Sequence, residues 1–419
     1  MVKAILIGAG ARGIGAYGAY ALKNQDEIKF VGVADPDIER RMYFSIQHSI
    51  HSDFQFSSFH EILDKPKFAD ACFICTQDSI HVEPAMKALA LGYDVFLEKP
   101  MAVTPEDCIL LEKVARQAGR KLMIGHVLRY TVFFETIKKY IDNGSIGRLM
   151  SIQHNENVSY WHQAHSYVRG NWRNLKESSP MILAKSCHDL DILYWFSKST
   201  PTKVSSFGSL SYFNQRNAPL GAPDYCMDGC PLQEECVYYA PKVYKNAPDW
   251  MKLPVTNKMT DDAILEALKK GPYGRCVFHS DNDVVDHQVV AIEFENEMTA
   301  SFTMTAFTHE NTRTIKLMGS LGEIRGHMDK EEIEIYTFGK DEPFRLKLTS
   351  EDYGHNGGDY GIMKAFIRLL EVGDNQEVTS DESSVMSHLL AFAAEESRLE
   401  GKTVDFKKFV EGIKHNVKI

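Results

Sequence analysis

No apolar run in this 419-residue chain approaches the ~18 residues that a membrane-crossing helix needs. No long basic block is present either, and the net charge is −10, which argues against nucleic acid as a partner. The first apolar strand begins at Val2 and leaves no room for a signal peptide, so a cytoplasmic protein is expected. Eight cysteines are too few and too scattered for a disulfide framework in a chain of this size. Internal repeats and low-complexity tracts are missing as well. What remains is ordinary globular composition, 44% hydrophobic and 25% charged, in a length that suits two or three domains.

The most informative stretch is the first. Val2-Lys3-Ala4-Ile5-Leu6-Ile7 reads as a buried strand, Gly8-Ala9-Gly10-Ala11-Arg12-Gly13 follows at once, and a small-residue helix is expected over Ile14 to Leu22. Strand, glycines at G-x-G-x-x-G spacing and helix make a phosphate site. The first glycine allows the tight turn, the second admits a pyrophosphate to the backbone, and the third lets helix and strand approach closely. The helix N-terminus supplies N–H groups and partial positive charge to the anion. A second strand, Ile28 to Ala34, ends at Asp35, where a carboxylate can accept hydrogen bonds from an adenosine ribose. That carboxylate would repel a 2′-phosphate and favours NAD, although Arg40 and Arg41 leave NADP open.

Strands and helices then alternate. A charged helix-like run spans Pro36 to Ser49, strands cover Ala71 to Cys75, Asp94 to Leu97 and Lys121 to Ile124, and helices lie between them. Thr104, Pro105, Glu106 and Asp107 form a helix start, and Gly119 ends that helix. Alternation over residues 1–125 predicts a doubly wound parallel sheet. Its ligands bind beyond the carboxyl ends of the strands, so Thr76, Asp78, Glu98 and Lys99 converge on one crevice. Residues 126–419 read as a second, α+β domain with an open, mostly antiparallel sheet built from Leu149 to Asn157, Val284 to Phe294, Met298 to Thr305, Thr312 to Met318 and Glu331 to Tyr336. Two helices, Tyr360 to Glu371 and Ser380 to Arg398, are expected to close the chain. An irregular, Cys-rich insertion occupies residues 214–283.

Several residues could carry chemistry. Lys99 ends a strand beside Pro100, which can be joined through a cis bond, and its ammonium could stabilise negative charge on a carbinol oxygen. Lys185, His188 and either Asp191 or Ile192 share roughly one helical face; His188 suits proton abstraction from a hydroxyl, Lys185 needs a reason to be half-buried, and Asp191 could orient the imidazole. The aromatic stretch Tyr160 to Arg173 holds His165, Arg169, Trp172 and Arg173, suited to a polyol or acidic sugar. His355 and Asp359 sit at a Gly-rich turn into a helix and can reach the same pocket, although Asp359 could equally be a plain N-cap. Cys226, Cys230, Cys236 and Cys276 could close a structural zinc site that pins the insertion, with His279 as a substitute ligand; unpaired thiols are the alternative.

The combination of the Gly8–Gly13 turn, Asp35, Glu98-Lys99-Pro100 and Lys185-x-x-His188-Asp189-x-Asp191 resembles the Gfo/Idh/MocA family, over most of the chain outside the insertion. The resemblance implies an N-terminal Rossmann domain and a C-terminal domain whose open sheet mediates homo-oligomers, dimers or tetramers. It implies a cofactor held along Gly8, Gly10, Ala11, Arg12, Gly13, Asp35, Thr76, His81, Glu98 and Lys99, with Lys99 and His188 catalytic. Many members carry an Asp four residues before that histidine; here the position is Ala184, and Lys185 is the residue available to take over part of its role. Three functions are compatible with these motifs. The leading one is an NAD-dependent oxidoreductase acting on a sugar, polyol or sugar derivative. The others are a glycoside hydrolase that oxidises and re-reduces its sugar on the bound cofactor, and a non-catalytic nicotinamide-dependent sensor.

Overall fold

The computed structural model describes residues 1–349, 354–373 and 381–417. Six strands form the first sheet: β1 (Val2–Ile7), β2 (Ile28–Ala34), β3 (Gln55–Phe56), β4 (Ala71–Ile74), β5 (Asp94–Leu97) and β6 (Leu122–Ile124). Their order is β3-β2-β1-β4-β5-β6, with every pair parallel. Helices cover both faces, which is why the four residues of β4 are all buried and read as a continuous apolar run. The strand order reverses between β1 and β4, and the glycine turn after β1 opens at this switch point. The helix Pro105–Ala118 starts on Thr104, whose Oγ1 accepts from the Asp107 amide at 3.2 Å, and stops at Gly119 in the left-handed region.

The core of this sheet is completed from far along the chain. Phe73 stacks on Phe96 with ring centroids 5.0 Å apart, and Phe366 of the helix Gly358–Val372 presents its edge to both at 5.3 Å. The two halves of the molecule therefore share apolar surface next to the crevice.

The second sheet has, among the described residues, nine strands: β7 (Leu149–Asn157), β8 (Pro201–Ser209), β9 (His287–Phe294), β10 (Thr299–Thr305), β11 (Thr312–Gly319), β12 (Gly322–His327), β13 (Glu332–Thr337), β14 (Phe344–Lys347) and β15 (Val404–Asp405). They lie in the order β14-β13-β12-β11-β7-β10-β9-β8-β15. All neighbours are antiparallel except β7 and β10, which run parallel. A parallel pair needs a long crossover, and the chain between β7 and β10 supplies it. One face alternates buried residues, as in β9 and β10, and is covered by the helices Cys187–Ser197 and Asp381–Glu400.

Four sequence expectations are corrected here. A third closing helix, Phe406–Asn416, follows the expected two. β8, β12, β14 and β15 were not anticipated; Gly322-Glu323-Ile324-Arg325-Gly326-His327 in particular has weak strand propensity and is held by its neighbours on either side. The insertion is not irregular throughout: it contains the short helices Ala240–Lys245, Asp249–Lys252 and Asp261–Leu268, which enclose a small core of Tyr244, Met251, Ile264 and Leu268. The aromatic stretch is not an open loop either. A short turn, Tyr160–His162, runs into a wide helical turn, Gln163–Arg169, whose residues are all buried. No helix among the described residues is long and apolar enough to cross a membrane.

Candidate active site

The glycine turn has the local geometry a pyrophosphate requires. Gly8 has φ +93°, and a Cβ there would stand 2.6 Å from the Cys75 carbonyl oxygen. A Cβ on Gly13 would stand 2.4 Å from the Gly8 carbonyl oxygen, so the third glycine permits the close return of the chain. A Cβ on Gly10 would meet nothing within 4 Å: this side of the turn is open, as an approaching ligand needs. Asp35 is buried and accepts from the Ala9 amide through Oδ2 (2.6 Å) and from the Asp37 amide through Oδ1 (2.8 Å). Two bonds leave about half of a carboxylate's acceptor sites for ribose hydroxyls. Arg41 folds back onto the Asp35 carbonyl at 2.5 Å, and the exposed Arg40 pairs with Asp37 at 3.6 Å. These residues fit an adenine dinucleotide, with acceptor sites of Asp35 left for a ribose.

Arg12 is engaged differently from a simple cofactor contact. Its Nε donates to Glu98 at 2.6 Å, Nη1 to Asp359 at 3.0 Å and Nη2 to the Tyr17 hydroxyl at 2.8 Å. Tyr17 also donates to Glu98. Burial alone would raise the Glu98 and Asp359 carboxyls, but the Arg12 guanidinium holds both below the usual range. Asp359 thus locks the second half of the molecule to the first, and His355 lies beside it at 3.1 Å, half in solvent at the same edge. His81 is also committed: one ring nitrogen lies 2.7 Å from the Pro100 carbonyl and the other 3.2 Å from that of Thr76, bracing the turn around Pro100. Thr76 donates to Ile80 at 3.2 Å.

The Lys99–Pro100 bond is cis, as expected from the sequence. The Lys99 ammonium donates to the Ala184 carbonyl at 2.7 Å, where the short helix Met181–Ala184 gives way to the one bearing His188. The first domain's lysine and the second domain's histidine are thereby brought to one place. Nδ1 of His188 is buried without a hydrogen-bond partner among the described residues. Burial, then the positive charge of Lys99, pushes this imidazole well below 6.5 and favours its neutral form.

Lys185 stands over a charged layer that the sequence did not reveal. Its ammonium is 3.6 Å from Glu156 Oε1. Arg313 pairs with the other Glu156 oxygen and, through Nε, with Asp189 Oδ1 at 2.7 Å, and His154 also meets Asp189 at 2.7 Å. Burial pushes the Glu156 carboxyl up to about 7, against the pull of Arg313 and Lys185. Burial likewise lowers Lys185. Glu156 and Arg313 escaped the sequence reading because each lies in an alternating strand; a charged residue at an inward position of β7 was the one available signal.

Other expected site residues serve the frame. Asp191 makes a two-point ion pair with Arg129 (2.7 and 2.5 Å) and does not orient His188. Trp172 Nε1 donates to Asp78 at 3.3 Å, and Ser178 donates to the same carboxylate at 2.9 Å, fastening the aromatic stretch to the first domain. His165 is buried, bonds the Tyr244 hydroxyl at 2.9 Å and stacks on Tyr273. Arg169 is buried and donates to the Arg275 carbonyl and the Tyr238 carbonyl, each at 2.7 Å. Both anchor the insertion. Arg173 is held by Asp281 and Glu177.

The zinc expectation is corrected. All eight cysteines are unpaired, and Cys226, Cys230, Cys236 and Cys276 line one small cavity of about 20 Å³. No group of three or more His, Cys, Asp or Glu side chains among the described residues is placed to hold a metal ion. The guanidinium of Arg169 lies 3.6 Å from Cys226 Sγ, a cation already set against the sulfurs.

Residues 2–126 match the oxidoreductase family with an NAD-binding Rossmann fold, and residues 138–406 match its C-terminal alpha/beta domain. The chain belongs to the Gfo/Idh/MocA oxidoreductase family. Among curated Gfo/Idh/MocA relatives, YteT of Bacillus subtilis (strain 168) is 25% identical over 73% of this chain and 74% of its own. The 2,7-anhydro-N-acetylneuraminate hydratase of Escherichia coli (strain K12) is 28% identical over 48% of this chain and 53% of its own. An oxidoreductase from Agrobacterium radiobacter, solved in complex with NAD+, L-tartaric acid and magnesium, superposes with a TM-score of 0.71 over 97% of this chain and 99% of that one. At 15% identity that likeness shows the shared fold.

Proposed function

We propose that this Gfo/Idh/MocA enzyme transfers a hydride between the nicotinamide of NAD and a sugar, polyol or sugar derivative. The observation that carries the reading is the meeting of the Lys99 ammonium with the start of the His188 helix, at the carboxyl edge of the sheet that bears the open glycine turn. When bound, the nicotinamide supplies the hydride acceptor. His188, held neutral by burial, takes the hydroxyl proton of the substrate. Lys99 donates to the same oxygen and stabilises the charge that grows on it. Lys185, backed by Glu156, lies next to Ala184, the position where many family members carry an Asp, and adds a second positive group. The Asp35 carboxylate favours NAD over NADP. We assign homo-oligomer formation to the outer face of the second sheet, where Phe207 is 70% exposed and pairs in register with Val289. A cytoplasmic location belongs to the same proposal.

A screen of free sugars, polyols and glycosides with NAD, followed by nicotinamide absorbance and by product analysis, tests this. Net NADH from a sugar or polyol supports it; binding of sugars without any turnover overturns it. A second reading, transient oxidation followed by elimination or water addition and re-reduction, is favoured by the similarity to the Escherichia coli hydratase. It predicts product without net NADH.

A further inference from the structure

The strip of aromatic rings that leaves the candidate active site toward the insertion has no part in hydride transfer. It starts at Trp172, pinned to Asp78 of the first domain, and continues to Tyr167 with ring centroids 6.2 Å apart. Tyr167 meets His162 at 6.1 Å. His162 stacks on Trp161 (5.6 Å, 19°) and takes the edge of Trp250 (5.6 Å, 71°), and the two tryptophans meet each other at 6.1 Å. Trp250 is 45% exposed, and Trp161 and His162 are half-buried. The His162 ring is fixed by Asn311 at 2.8 Å. Burial lowers the His162 imidazole, and the charge of Lys185 lowers it further, so this end of the strip lies within electrostatic reach of the candidate site.

Trp161 and Trp250 adjoin one another, and a contiguous aromatic patch rimmed by polar groups marks a binding surface where a single exposed ring does not. A flat aromatic face matches the C–H face of a pyranose ring, while neighbouring polar groups, here His162 and Asn311, suit its hydroxyls. Two partly buried indoles expose far less than the ~800 Å² per partner that a stable protein interface buries. We propose that Trp161 and Trp250 form a second sugar subsite, and that the substrate is a glycoside or disaccharide whose reacting ring lies at Lys99, Lys185 and His188. The insertion then has a function: it carries Trp250 on the short helix Asp249–Lys252, anchored by the buried Met251. This assignment rests on the hydride-transfer reading for the position of the reacting ring.

The test uses the full-length protein saturated with NAD, with cellobiose, lactose and maltose set against glucose and galactose. Calorimetric binding is measured for wild type, Trp250→Ala and Trp250→Phe, and KM and kcat for whichever probes are turned over. The subsite predicts that a disaccharide binds more tightly than its monosaccharide. Trp250→Ala should weaken the disaccharide about tenfold more than the monosaccharide, and Trp250→Phe should restore most of that difference. An equal effect on both sugar sizes, no effect on either, or no disaccharide binding overturns the subsite. Disaccharide preference lost in Trp250→Ala, in a protein that turns over none of the probes, supports the subsite while contradicting the hydride-transfer reading, so the two failures are told apart.

Discussion

Replacing Arg169 with Met tests whether this side chain holds the insertion or meets a ligand. The guanidinium is 1% exposed, donates to the carbonyls of Arg275 and Tyr238, and has no ion-pair partner among the described residues. Two charge-assisted hydrogen bonds contribute about 1.5–3 kcal/mol each, or about 3–6 kcal/mol together. Against this, a buried cation without a carboxylate costs up to several kcal/mol in lost hydration, and Nη1 finds no acceptor among the described residues. Met refills the space along the stem but leaves both carbonyls without a donor. The cost of the variant is set by the two carbonyls it orphans, about 1–2 kcal/mol each and about 2–4 kcal/mol together, and the loss is confined to residues 214–283. Hydrogen exchange should read this as amides of the insertion opening about thirty- to a thousandfold more often, with the first sheet unaffected. NAD affinity should stay at the wild-type value. Wild-type exchange in the insertion, or a parallel fall in NAD affinity, would refute the reasoning.

Three further outcomes follow from the site. His188→Gln keeps the ring's approximate volume and polarity but removes the base, so kcat should fall about 10²–10⁴-fold while NAD binding persists; a smaller loss moves the base elsewhere. Because burial and Lys99 hold the His188 imidazole below 6.5, the acid limb of kcat/KM should lie below pH 6.5, and a limb above that value contradicts the assignment. The same depression favours the unprotonated folded state, so this group's contribution to stability is present above 6.5 and is lost as pH falls through the folded value. Gly10→Val and Gly13→Val should separate ligand from fold: nothing within 4 Å meets a Cβ on Gly10, so that variant should fold normally and lose NAD affinity, whereas on Gly13 the Cβ falls 2.4 Å from the Gly8 carbonyl and should lower the melting temperature.

The first domain was legible because its signals are local. A buried strand, a glycine turn, a carboxylate at the next strand's end and a capped helix each show within a few residues, and Thr104 with Gly119 marked one helix to the residue. The second sheet was legible only where alternation is long. β7, β10 and β11 were recovered nearly whole, but the parallel pairing of β7 with β10 is set by a distant crossover and leaves no local mark. The site shows the same division. Lys99 and His188 could be proposed from their places in the chain, and the Lys99–Ala184 contact brings them together. Arg169, His165 and Trp172 were proposed for a ligand on residue type, and Asp191 for orienting the imidazole on helical spacing. Polar side chains of those types serve equally well as internal ties, and their partners Tyr238, Tyr244, Asp78 and Arg129 lie far away in sequence. The Glu156–Arg313–Asp189 layer was hidden for the same reason: each member is ordinary alone, and their meaning lies in the register of β7 with β11 and the helix above.

The most direct test of the central claim is rapid mixing of NAD-loaded protein with a sugar from the screen, read by nicotinamide absorbance in wild type and in Lys99→Met. The account predicts a reduced nicotinamide signal in wild type, formed at least ~10²-fold more slowly in the variant when both proteins are saturated with NAD. Reduction at the wild-type rate in Lys99→Met would contradict it.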